Sequence, residues 1–218
     1  VDYLGSLPVI DGEEKPRDTG IRFPSGVTEK FVFKGMEDKS QVYMLMETDY
    51  DLTYPERFKI NAMKDVLNII LRERIREEKG GTYGIYSYFS TDFFPEKKCR
   101  YGVSWGCNPE RVDELTDELL KIIAEMKQDT IDEKYIKKVK EMQKREYETD
   151  SKENRKWINW LEFLYKRDMH SVTIKRIPEM IETISSEDIR NTARKYLKLD
   201  NYARFVLLPE RMKAAADK

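Results

Sequence analysis

The chain has 218 residues, and 40 Lys and Arg stand against 41 Asp and Glu to give a net charge of −1. This balance excludes the basic footprint of a general nucleic-acid binder, and 13 Tyr, 9 Phe and 3 Trp supply too much apolar surface for a disordered chain. A single His and two Cys are too few for a structural zinc site, which takes about four such ligands, and no apolar run approaches the ~18 residues of a membrane span.

The first 26 residues have the composition of a module end and a linker. Residues 4–8 read as the end of a helix followed by a stop, and residues 9–26 carry five Gly and Pro among mixed charges. The sequence begins at Val1 without a Met or a signal-peptide pattern, so we expect it to be cut from a longer protein. Residues 1–26 are therefore predicted to be the end of a preceding module plus a linker.

Two strands are predicted next. Residues 31–33 form a short strand, and residues 41–46 are nearly all apolar. A continuous apolar run is typical of a strand that is covered on both faces. We therefore predict that both faces of the second strand are covered.

A long helix follows these strands. Thr53 and Glu56 fit a capping box, and apolar residues recur at mostly three- and four-residue steps over residues 58–71. The pattern turns charged over residues 72–79, and Gly80-Gly81 is predicted to end the helix.

A β-hairpin is predicted after these glycines. Residues 82–90 are rich in Tyr and β-branched side chains, and alternate residues from Cys99 to Cys107 are apolar. These two cysteines lie eight steps apart in one strand, which at ~3.3 Å per residue separates them by roughly 26 Å. A disulfide needs Cα atoms within about 7 Å, so we predict no bridge between them.

Helices are predicted over most of the remaining chain. Asn108-Pro109 caps the first, Thr130 and Glu133 form the capping box of the next, and Ser185 and Asp188 open the last.

The order of elements is two strands, a helix, a hairpin, several helices and a final strand over residues 205–208. Hairpins and segregated helices favour an α+β fold, with a mainly antiparallel sheet backed by helices on one face. We predict one domain over residues 27–210 and a frayed tail over residues 211–218.

Several candidate sites are better explained by structural roles than by catalysis or ligand binding. His170 lies in a polar connector and has no partner at metal-ligand spacing, so a solvated or hydrogen-bonding side chain is favoured. Lys79-Gly80-Gly81-Thr82 follows a helix and precedes a strand, the reverse of the order that presents backbone N–H groups to a phosphate. Acidic pairs such as Glu77-Glu78 fit a solvated helix face.

The informative pattern spans the glycine turn. Arg76 is predicted in the last turn of the helix and Tyr83 at the start of the next strand, so both side chains can gather at one end of the sheet. A guanidinium and a phenol suit a peptide carbonyl, or the oxyanion that develops from it. The alternative is structural: Arg76 caps carbonyls and balances the helix dipole, and Tyr83 packs. The residues alone favour that structural alternative.

Several segments, in order, resemble the pitrilysin/insulinase family of zinc metallopeptidases, peptidase family M16. The segment Leu71…Arg76…Gly81-Thr82-Tyr83-Gly84 is similar to the signature of the C-terminal half of that family. Other segments extend the resemblance over nearly all of residues 1–210. They are residues 3–8, Ser40-Gln41-Val42, Asn108-Pro109, Asn154 with Trp157, residues 184–189, Tyr196-Leu197 and residues 206–209.

The resemblance implies a fold and a site. The fold is a LuxS/metallohydrolase-like α+β module with a twisted, mainly antiparallel sheet, and four such modules form two halves around a chamber in these enzymes. The N-terminal half binds zinc through an inverted His-x-x-Glu-His motif and a distal Glu, with the motif Glu as general base. The C-terminal half supplies an Arg and a Tyr seven residues apart that contact substrate near the scissile carbonyl, and Arg76 and Tyr83 match that spacing.

This chain has no His-x-x-Glu-His, so the resemblance implies no catalytic residue and no metal ligand within it. We expect the C-terminal module of an M16-type zinc endopeptidase, in which Arg76 and Tyr83 bind the peptide substrate. Zinc would be bound by the N-terminal half of the same or a partner chain, and neither nucleic acid nor a membrane span is expected. The alternatives are a non-catalytic interaction or scaffold subunit of the same fold and an unrelated domain that binds peptides at an exposed sheet edge.

Overall fold

A computed structural model describes residues 3, 6–8, 16–51, 53–78, 80, 82–169 and 171–213, apart from the side chains of residues 78, 83, 171 and 172. The strands are β1 (Val27–Phe33), β2 (Ser40–Asp49), β3 (Thr82–Asp92), β4 (Lys98–Cys107) and β5 (Tyr202–Leu208). The α-helices are α1 (Tyr54–Leu71), α2 (Val112–Gln128), α3 (Glu133–Asp150), α4 (Asn154–Tyr165), α5 (Ile177–Thr183) and α6 (Ser186–Tyr196).

The five strands form one sheet in the order β1-β5-β2-β4-β3. β1 pairs with β5 in parallel, and the other three pairings are antiparallel. Helices α1, α2 and α6 contact one another, and α1 packs against β3 while α6 packs against β2. The predicted α+β fold with a mainly antiparallel sheet is therefore confirmed.

The second face of β2 is open, so the prediction that both faces are covered is wrong. Val42, Met44 and Met46 are fully buried, whereas the side chain of Tyr43 between them is 44% exposed. Phe205 and Leu207 of the neighbouring β5 are also exposed on this face. A run of apolar residues shows that a strand is hydrophobic, but it does not show whether another layer covers its second face.

Of the N-terminal capping boxes predicted from the sequence, the structure contains the one at α6 and lacks the one at α3. Ser185 and Asp188 form the predicted reciprocal capping box of α6. The predicted box of Thr130 and Glu133 is wrong, because α3 begins at Glu133 and its N-cap is Asp132. The Asp132 carboxylate lies next to the first turn and accepts a hydrogen bond from the backbone N–H of Lys134 at 2.9 Å.

One side chain connects α1 to the edge strand β3. The Asn68 Oδ1 accepts a hydrogen bond from the backbone N–H of Ser87 at 2.6 Å, and its Nδ2 donates to the Ser87 carbonyl at 3.3 Å. The Ser87 hydroxyl is hydrogen-bonded to the phenol of Tyr101 at 2.8 Å, in the core. The amide of Asn68 therefore takes the place of a further strand at this point of the edge.

The two cysteines are free and buried, at opposite ends of β4. Burial raises the pKa of Cys99 to about 12, so its thiol is neutral at physiological pH. His170, the helix end at residues 4–5 and the tail at residues 214–218 lie outside the described ranges.

We expect Asn68→Ala to lower the free energy of unfolding by about 1–3 kcal/mol, because two backbone groups of the buried Ser87 lose their partners. Urea denaturation measures this loss. The matched control is Asn159→Ala on the exposed side of α4, which should change stability by less than about 0.5 kcal/mol. Equal losses in the two variants would contradict the role of Asn68.

Candidate functional site

The predicted site residue Arg76 lies in a π-helical segment. α1 ends at Leu71, and Arg72–Glu78 continues with π-helical spacing. The prediction of a helical position is confirmed, but the wider spacing was missed, because a sequence of good helix formers does not distinguish an α-helix from a π-helix. Such turns are rare and are frequent at functional sites.

Contacts with α2 hold this segment in place. Ile75 is fully buried, and the Arg74 guanidinium forms ion pairs with Glu118 and Glu125. Burial lowers the pKa of Arg74, but its hydrogen bonds with Glu125 and Glu118 outweigh that effect and raise the pKa above its ordinary value. The ion pairs therefore join the π-helical segment to α2 by charged hydrogen bonds.

A second contact joins the segment to α3. The Tyr135 hydroxyl donates a hydrogen bond to the Glu73 carboxylate at 2.8 Å, and the Lys138 ammonium lies 3.7 Å from the same carboxylate. Consecutive residues of the π-helical segment are thus fixed to two different helices. The backbone that carries Arg76 is held from both sides.

The Arg76 side chain is exposed and forms no hydrogen bond or ion pair with the described residues. The structural alternative, in which Arg76 caps carbonyls at the helix end, has no such contact in this part of the chain. Within the described part of the chain, the five N–H donors of this guanidinium are therefore open.

Tyr83 lies at a β-bulge at the start of β3. In the pairing with β4, Thr82 is opposite Cys107 and Gly84 is opposite Gly106, which leaves Tyr83 as the extra residue. The Thr82 hydroxyl donates to the Gly106 carbonyl at 2.6 Å and accepts from the Gly84 N–H at 3.0 Å. Bulges redirect a side chain and are common next to active sites. The sequence placed Tyr83 at the strand start but gave no signal of the bulge.

A cleft of about 600 Å³ begins one residue beyond Tyr83, on the open face of the sheet. Gly84 and Gly106 lie opposite each other there, and neither of them places a side chain of its own in the cleft. The residues that line the cleft are Lys39, Ser40, Gln41, Tyr43, Gly84, Tyr86, Gly106 and Leu207. The sequence does contain a signal for this cleft, because both of the facing positions, Gly84 and Gly106, are glycines.

The described residues do not fit a zinc ion. No group of three or more His, Cys, Asp or Glu among them is arranged to hold a metal, and both cysteines are buried. None of the described helices is both long and apolar enough to cross a membrane.

Comparisons with known proteins point to one family. The family model "Peptidase M16 inactive domain" matches residues 1–143. The Probable zinc protease PqqL of Haemophilus influenzae is 26% identical over 113 residues, which are 51% of this chain and 12% of that protein.

Solved structures share the fold. The periplasmic protease PqqL from Escherichia coli matches with a TM-score of 0.78 at 21% identity, over 95% of this chain and 23% of that chain. A protease from Helicobacter pylori matches with a TM-score of 0.77 at 15% identity, over 95% of this chain and 50% of that chain. The chain therefore spans half or less of the length of each of these relatives.

The ion pairs of Arg74 predict that its substitution loosens the π-helical segment. We expect Arg74→Met to lower the free energy of unfolding by about 1–3 kcal/mol, because Glu118 and Glu125 lose their shared counter-charge. Hydrogen exchange of the amides of residues 72–78 should become faster. The control Arg176→Met removes an exposed pair with Glu179 and should cost less than about 1 kcal/mol. Unchanged exchange in Arg74→Met would contradict the anchoring role.

Proposed function

The chain belongs to peptidase family M16 and carries the inactive type of domain of that family, and we propose that it is the C-terminal, non-zinc-binding module of an M16 zinc endopeptidase. In this proposal Arg76 and Tyr83 bind the peptide substrate. Zinc is bound by another domain, the N-terminal half of the same or a partner chain, and the residues of this chain orient the peptide.

The observation that carries the proposal is the register of α1 along β3. The helix and the strand run in opposite directions, because Arg57 reaches Thr91 near one end and Asn68 binds Ser87 further along. With an α-helical rise, the chain would advance about 12 Å from Asn68 to Arg76, and the wider π-helical turns after Leu71 shorten this somewhat. From Ser87 to Tyr83 the strand advances by about 13 Å. These similar lengths support the placement of both residues near the same end of the sheet, and the π-helical segment packs against β3.

The chemistry available at this position suits an amide substrate. Arg76 has unengaged N–H donors, and a phenol such as that of Tyr83 supplies one O–H donor. Donors that are fixed before the reaction stabilise negative charge on a carbonyl oxygen at little cost in reorganisation. The cleft at Gly84 and Gly106, which begins one residue beyond Tyr83, offers space for an extended chain.

The other interpretations receive less support from the structure. At the β3 edge of the sheet, a domain that binds peptides by strand addition needs free backbone groups, but Asn68 occupies those of Ser87. A non-catalytic scaffold subunit of the same fold has no need for an unengaged Arg76 on a backbone that the ion pairs of Arg74 and the buried Ile75 hold in place.

We propose the same division of the chain that the sequence predicts. Residues 27–210 would form the M16-type domain, residues 1–26 the end of a preceding module with its linker, and residues 211–218 a tail. The parallel pairing of β1 with β5 supports this division, because it places the first and last strands side by side in one sheet.

Substitution of the two residues tests the proposal in the intact protein. We expect Arg76→Ala and Tyr83→Phe each to lower kcat for cleavage of a quenched-fluorescent peptide by about 10- to 1,000-fold, as loss of a donor to the carbonyl oxygen does in other hydrolases. The melting temperature of Arg76→Ala should stay unchanged, because the exposed Arg76 side chain forms no hydrogen bond or ion pair with the described residues.

The matched controls remove the same groups elsewhere. Arg72→Ala changes an exposed arginine of the same π-helical segment, and Tyr165→Phe changes an exposed tyrosine of α4. Both should retain the kcat of the unmodified protein. Unchanged kcat in Arg76→Ala and Tyr83→Phe, or an equal loss in the controls, would overturn the assignment.

A further inference from the structure

A second cleft lies in the helical layer, far from Arg76. It has a volume of about 350 Å³ between α1, α4 and the edge strand β3, and it adjoins a smaller cleft of about 130 Å³ that reaches α3 and α5. The larger cleft is lined by Tyr54, Arg57, Phe58, Asn61, Phe89, Glu146, Asn159, Trp160 and Phe163. Arg57 and Arg76 are 19 residues apart along the helix, or about 28 Å.

The cleft contains a guanidinium that aromatic rings hold in place. The Cζ of Arg57 lies 5.1 Å from the centre of the Phe89 ring and 4.5 Å from that of Phe163. Its hydrogen bond within the described residues is a long one, 3.4 Å, to the Thr91 hydroxyl. Arg57 is therefore fixed by the faces of two rings, while most of its N–H donors remain open.

A second guanidinium adds positive charge beside the first. The Cζ of Arg167 lies 3.8 Å from the centre of the same Phe163 ring and 3.8 Å from that of Phe93. Its Nε is buried without a hydrogen-bond partner in the described structure. Burial, and then the charge of Arg57, lower the pKa of Arg167 below its ordinary value.

No carboxylate among the described residues forms an ion pair with either guanidinium. Glu56 accepts hydrogen bonds from Lys195 and Tyr196, and Glu162 pairs with Lys166. Glu146 also lines the cleft, but it forms no ion pair with Arg57 or Arg167. Two like charges on one ring that no carboxylate pairs with directly are unfavourable in a partly desolvated site. An anion bound at Arg57 would reduce the repulsion between the two guanidiniums.

We propose that this cleft binds the C-terminal residue of a peptide, with the peptide carboxylate at Arg57 and an apolar side chain among the aromatic rings. The rings of Tyr54, Phe89 and Trp160 supply the apolar walls, as in most small-ligand sites. The exposed side-chain amide of Asn159 has no hydrogen bond within the described residues. It could therefore form a hydrogen bond with the backbone amide of the bound peptide, a group that a simple apolar acid lacks. This inference does not depend on the roles proposed for Arg76 and Tyr83.

Two probes that differ in one charge test the inference with the intact protein. N-acetyl-L-phenylalanine carries the carboxylate, and N-acetyl-L-phenylalaninamide carries a neutral amide in its place. Calorimetric titration measures both affinities, and the fluorescence of Trp160, which lines the cleft, reports the location of binding. We expect the acid to bind at least about tenfold more tightly than the amide, and added salt to reduce that preference.

Variants assign the preference to Arg57. Arg57→Gln should abolish the preference for the acid, and Arg57→Lys should retain part of it. Arg155→Gln, which removes an exposed arginine of α4 that does not line the cleft, should bind as the unmodified protein does. Arg76→Ala should also bind both probes normally, which separates this site from the proposed substrate site.

Three outcomes would overturn the inference. The first is equal affinity of the unmodified protein for the acid and the amide, which needs no variant to observe. The second is loss of the preference in Arg155→Gln to the same extent as in Arg57→Gln. The third is equally tight binding of 3-phenylpropionate, which would show that the peptide amide is not recognised.

Discussion

The pair of hydrogen bonds between the Asn68 amide and the backbone of Ser87 sets the register of α1 along the edge strand β3. Because the two elements run in opposite directions, this register determines which residues of β3 each end of the helix contacts. The Arg57 guanidinium lies over the Phe89 ring and donates a hydrogen bond to the Thr91 hydroxyl, and the π-helical segment packs against β3. A shift of α1 by one turn, about 5.4 Å, would displace the residues of both proposed sites together.

Three arginines of this continuous helical stretch show how tertiary contacts decide what one residue type does. Arg74 pairs with Glu118 and Glu125 and fixes the backbone. Arg57 stacks between aromatic rings, and Arg76 is exposed and unengaged within the described residues. A guanidinium that is not already paired with a protein carboxylate can form its strongest charged hydrogen bonds with an anionic or carbonyl-bearing ligand.

Much of the fold could be predicted, because hydrophobic periodicity and capping residues act locally. The hairpin of β3 and β4, the α6 cap at Ser185 and the helical position of Arg76 all follow from short segments. The open face of β2 and the aromatic setting of Arg57 could not be predicted in this way. They depend on residues far away in the chain, since Phe89 and Phe163 are 32 and 106 positions from Arg57. The π-helical spacing likewise depends on partners in α2 and α3.

The proposed placement of Arg76 beside Tyr83 can be tested in a crystal structure of the intact protein with an uncleaved peptide bound. If the register of α1 on β3 positions a substrate site, the Arg76 guanidinium and the Tyr83 hydroxyl should both lie within about 3.5 Å of the backbone of the same peptide. A structure in which the Tyr83 side chain packs in the core, or in which the peptide passes neither residue, would contradict this account.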